Sequence, residues 1–79
     1  MNLYLLTQTV NTGYDTFDSA VVAAESMQLA RETLPADYLE WGDVLNAWVP
    51  SPSAVTARLI GTAVDGTEAG VVCASFNAG

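Results

Sequence analysis

The residues of this chain with the types and spacing to do chemistry are its carboxylates. Asp15 and Asp18 lie three apart, and Asp37, Glu40 and Asp43 repeat at the same interval. Paired carboxylates can hydrolyse glycosides or hold Ca²⁺ or Mg²⁺. Neither group follows the calcium-loop pattern, and a chain of 79 residues with nine acids shows such spacings without design. Nucleophilic catalysis needs an activated side chain with a base beside it. Histidine and lysine are absent, and Cys73 has neither next to it. No phosphate-binding glycine loop appears, and the zinc signatures lack their Cys and His. The expectation is a binding protein, not an enzyme, with no cofactor and no metal.

The carboxylates read better as a contact surface. Tyr38 and Trp41 interleave with Asp37, Glu40 and Asp43. Aromatic rings among carboxylates can stack on arginine guanidinium groups and pair with them. The candidate partner-binding set is therefore Asp15, Asp18, Asp37, Tyr38, Glu40 and Asp43. For Trp41 and Trp48 the simpler reading is a lid over the core.

Net charge sets the sign of the partner. Nine acids face two arginines, Arg31 and Arg58, for a net charge of −7. Free nucleic acid and anionic membranes would be repelled by such a chain, whereas a basic protein surface is its natural opposite. Acidity that merely keeps an alanine-rich chain soluble is the alternative.

These side chains need elements to hold them. With 79 residues there is room for a single domain, 1–79, and one modest core. A core of this size supplies only about 3–5 kcal/mol, so a homodimer is one route to extra stability. Residues 2–10 are rich in β-formers and predict a strand, broken by the turn residues around Asn11 and Gly13. Residues 18–25 predict a second strand, with helix as the weaker option. Ser26 suits an N-cap for a helix over 26–34, with Met27, Ala30 and Leu34 on its buried face and Pro35 ending it.

Residues 35–53 are irregular. Asp37 and Glu40 resemble a capping box that opens one helical turn ending at Gly42. Trp48 and Val49 suggest a brief extended piece, and 50–53 a turn. Residues 54–64 alternate as a third strand, Asp65-Gly66 signals a hairpin turn, and 69–76 form a fourth. The fold class expected is α+β: a four-stranded, mainly antiparallel sheet with one short helix, in the order β-β-α-β-β. Cys73 sits among apolar residues and reads as a buried thiol, with an intermolecular disulfide as the alternative. No stretch reaches the ~20 apolar residues of a membrane span, and no basic segment precedes Leu3, so a cytoplasmic location is expected.

Two blocks carry a resemblance. Residues 14–26 read YDTFDSAVVAAES, and residues 70–79 read GVVCASFNAG. Both resemble blocks of a family of small phage and prophage proteins that includes a type I-C anti-CRISPR protein. Leu59-Ile60-Gly61-Thr62-Ala63 fits the same family, and residues 36–52 match none of its motifs. The resemblance implies a phage inhibitor, in the cytoplasm of a host bacterium, that binds subunits of the type I-C Cascade complex and stops target DNA binding. It brings no catalytic residues, and within its blocks Val21, Val22, Val71 and Val72 read as strand core. A phage sponge that sequesters a small nucleotide-type defence signal is the alternative function.

Overall fold

The computed structural model describes residues 1–42 and 47–78. Four strands, β1 (Asn2–Thr7), β2 (Thr16–Ala24), β3 (Thr56–Thr62) and β4 (Gly70–Asn77), and one helix, α1 (Met27–Arg31), follow in the order β-β-α-β-β. The strands form one sheet with the spatial order β3-β1-β2-β4. Every pairing in it is antiparallel.

Residues opposite one another in the ladders share a face. Tyr4 opposes Val22 and Leu6 opposes Ala20, and all four are buried. Ala30 of α1 joins them in one cluster with Leu39, Trp48, Val49 and Val55. The helix and the middle segment therefore cover this front face together. The back face carries Leu3 opposite Ala23 and Leu5 opposite Val21, with Cys73 beside Val21 and Arg58 beside Leu5. Of these only Ala23 is buried, and none joins the front-face cluster.

The helix is shorter than its sequence predicts. Its N-cap is as expected, with the Leu29 N–H donating to Ser26 Oγ at 3.2 Å. It stops at Arg31, before Pro35 can end it, because the Thr33 hydroxyl donates to the Leu29 carbonyl and the Thr33 N–H to that of Ala30. These bonds occupy the last carbonyls in a tighter turn. Ala30 is the only buried residue of α1, and Met27 is exposed. Five residues make a stripe too narrow to bury more than this one small side chain.

Other expectations change as well. Asp37 and Glu40 do not start a helical turn; a turn closes with the Leu39 N–H on the Ala36 carbonyl instead. Trp48 and Val49 are buried without forming a strand, and Pro52–Ala54 forms a 3-10 turn. Asp65-Gly66 does make a turn: Gly66 takes φ +89, and the Thr67 N–H donates to the Val64 carbonyl. The strands it joins are not neighbours. β3 pairs with β1 and β4 with β2, so residues 63–69 connect opposite edges of the sheet. Cys73 is exposed, and Val71 and Val72, which read as strand core, are 40% and 56% exposed on the outer strand. No helix among the described residues is long and apolar enough to cross a membrane.

Candidate functional site: an acidic loop and an acidic turn

The loop between β1 and β2 is built by one buried amide. Gln8 is 6% exposed. Its Oε1 accepts the N–H groups of Val10 and Asn11 at 2.9 and 2.8 Å. Its Nε2 donates to the carbonyls of Asn11 and Phe17 at 2.6 and 3.0 Å. One side chain thus replaces the ladder partners that the chain loses after Thr7. This is why β1 ends there although the β-formers Thr9 and Val10 follow.

The C-terminal strand clamps the same loop. The Asp15 N–H donates to the Asn77 carbonyl at 2.6 Å, and Asn77 Nδ2 donates to the Gly13 carbonyl at 3.2 Å. Thr16 Oγ1 donates to that carbonyl too, at 2.6 Å. Asp15 itself adopts φ 62, the left-handed region that Asp and Asn tolerate better than most residues. Asp18 is the extra residue of a bulge between the Phe17–Phe76 and Ser19–Ser75 pairs. Bulges re-aim side chains, and Asp18 is exposed between buried Phe17 and half-buried Ser19.

The second group lies after α1. Asp37, Tyr38 and Glu40 are exposed, Tyr38 at 68%, on either side of buried Leu39, which anchors the turn in the core. Trp41 packs against the cluster, and Trp48 is buried within it. Both tryptophans therefore belong to the lid, while Tyr38 is free to make contacts. Asp43 lies outside the described residues. The two groups sit on separate segments of chain. The middle segment is tied to the loop by the Phe17 N–H donating to the Ala47 carbonyl and by Asn11 Nδ2 donating to the Trp48 carbonyl.

Three contributors were not singled out from sequence. Gln8 and Asn77 hold the loop in shape. Tyr14, 76% exposed beside Asp15, repeats the tyrosine-beside-acid pairing of Asp37-Tyr38. That repetition was the available signal. Nothing in the types of Gln8 and Asn77 distinguishes them from solvated polar residues.

Every described acid of the chain is exposed. Among the described residues, no group of His, Cys, Asp and Glu is placed to hold a metal ion. A shallow groove lies beside α1, lined by Gln28, Arg31, Pro52 and Ser53. Its arginine already donates to Gln28 Oε1 at 2.7 Å, and Gln28 in turn donates to the Glu32 carboxylate at 2.8 Å. No protein-family model, curated protein or solved structure matches this chain.

Proposed function

We propose that this protein is an inhibitor that binds a basic, nucleic-acid-holding protein surface through its exposed carboxylates and keeps the nucleic acid out. The observation that carries this reading is that all described acids point to solvent on a chain of net charge −7 with no lysine. A compact polyanion of this kind competes with a phosphate backbone for lysine- and arginine-rich channels. The resemblance of residues 14–26 and 70–79 to a phage family narrows the target to the type I-C Cascade complex. Such a complex must hold guide RNA and target DNA on basic surfaces.

Tyr14 and Tyr38 beside Asp15 and Asp37 offer rings and carboxylates to the same arginines. Tyrosines of this kind are frequent anchors of interfaces. The nucleotide-sponge reading gains less support. The groove beside α1 holds one arginine, and that arginine is tied through Gln28 to a carboxylate that would repel an anion.

The test is a target-DNA binding assay with purified type I-C Cascade. Excess protein should abolish DNA binding and co-purify with Cascade. DNA that binds Cascade equally well in its presence sinks the proposal.

A further inference from the structure

Charge is distributed unevenly over this molecule. The four strands together carry one acid, Asp18, and one arginine, Arg58. The other described acids lie in the turns and loops around the sheet and beside the ends of the helix. β1 and β4 carry no charged residue, and of these two strands only β4, GVVCASFN, lies at an edge of the sheet; its one ionisable group is the Cys73 thiol and it has no proline. It pairs with β2 along one side only, so its other side presents free backbone donors and acceptors. Residues 71–76 are all exposed, Val72 at 56% and Phe76 at 44%. An open, uncharged, apolar edge strand is the kind of edge to which another strand adds.

We propose that β4 is the interface of a two-fold dimer, in which it pairs antiparallel with β4 of a second copy to make one continuous sheet. The occupant follows from charge. A basic nucleic-acid channel has nothing to recognise in a strip without carboxylates. For a second copy of a chain at −7, the same strip is where the two molecules meet with the least like-charge repulsion. Symmetry supports the same choice. An antiparallel β4–β4 pair is isologous and closes after two copies. It leaves β3 as both outer edges, where Arg58 at mid-strand discourages further addition; each edge strand carries one bulge, at Ile60 in β3 and at Val72 in β4, so charge is what distinguishes them. The half-buried back-face residues Leu3, Leu5 and Val21 then continue across the junction beside Cys73 of each copy. This inference does not rest on the proposed function, since it uses a different surface.

The two-fold axis passes near the middle of the strand. Cys73 of one copy therefore lies opposite its mate or one diagonal away, within about 8 Å. Sedimentation and light scattering should give twice the 8.3 kDa chain mass over the micromolar range. A short bis-maleimide should join two chains through Cys73 in dilute solution. The double variant V72E/S75E, at two exposed positions, should sediment as a monomer with an unchanged far-UV spectrum and lose the cross-link. Cross-linking of the unaltered chain reads the same contact should that variant fail to fold. A monomeric wild-type chain overturns the proposal. So does a dimer that survives V72E/S75E, a dimer dispersed only by Leu5→Arg, or open-ended higher oligomers.

Discussion

Replacing Gln8 tests how the acidic loop is held. Its amide satisfies four backbone groups at 2.6–3.0 Å, with both ends of the amide in use. Each such bond contributes about 1 kcal/mol net. In Gln8→Leu the Val10 and Asn11 groups regain water at the exposed end of the loop, while the Phe17 carbonyl, bonded in a buried setting, does not. The expected cost is about 2–3 kcal/mol, most of the ~3–5 kcal/mol that a core of this size supplies.

Gln8→Glu is the sharper perturbation. It has the same shape and keeps the two accepted bonds. It loses both donated bonds and sets a buried carboxylate against two carbonyl oxygens. At neutral pH it should cost at least as much as Gln8→Leu. Burial raises the carboxyl pKa in the folded state above its unfolded value, so the unfolded chain binds fewer protons as pH rises and stability falls. Acidification restores one donated bond, and the gap to wild type should narrow between neutral pH and about pH 5. Urea unfolding followed by circular dichroism at several pH values measures this. A Gln8→Glu variant as stable as wild type at neutral pH would show that the amide is not the organiser of the loop.

The remaining predictions concern the lid and the acids. Trp48 is 1% exposed, and among the described residues its Nε1 has no hydrogen-bond partner. Trp48→Phe loses apolar contact but also removes an unsatisfied buried donor that costs about 1–3 kcal/mol, so its unfolding midpoint in urea should stay near that of wild type. Trp48→Ala should cost about 3–5 kcal/mol and leave the chain largely unfolded by circular dichroism. Reversing Asp15, Asp18, Asp37 or Glu40 to lysine should weaken the Cascade complex by about two- to fivefold each in a direct binding measurement, the scale of exposed charge contacts. Glu32→Lys, where the carboxylate faces Gln28, should change it less.

The sheet was legible because its strands announce themselves by β-branched and aromatic runs. Val21-Val22 favoured strand over helix in an alanine-rich stretch, and the ladder with β1 bears this out. Connectivity was not legible. Asp65-Gly66 has the local chemistry of a hairpin, and the turn forms, but a turn does not determine which strands pair. β1 and β2 pair with each other at the centre of the sheet, which leaves only its two opposite edges for β3 and β4. For the same reason Val71, Val72 and Cys73 misled. An uncharged apolar strand reads as central when pairing is unknown, and here it is an edge. The acids of the site were visible by type, yet their support was not. Asn77 closes the loop from 62 residues beyond Asp15, a contact only the fold can reveal.

Separating the carboxylates from the apolar edge gives the two associations opposite responses to salt. Two chains of charge −7, placed side by side with centres about twice the 11.9 Å radius of gyration apart, repel. Coulomb's law with screening puts this at about 4 kcal/mol at 0.01 M salt and about 1 kcal/mol at 0.1 M. The pairing of β4 strands itself is little affected by ions. Raising salt across this range should therefore tighten the dimer by about two orders of magnitude, read as the sedimentation midpoint. Over the same range, binding to a basic partner should weaken, chiefly through a slower association rate. A dimer that loosens with salt would mean that ion pairs hold it, contrary to an uncharged edge. Partner binding indifferent to salt would mean that the exposed carboxylates are not what the partner reads.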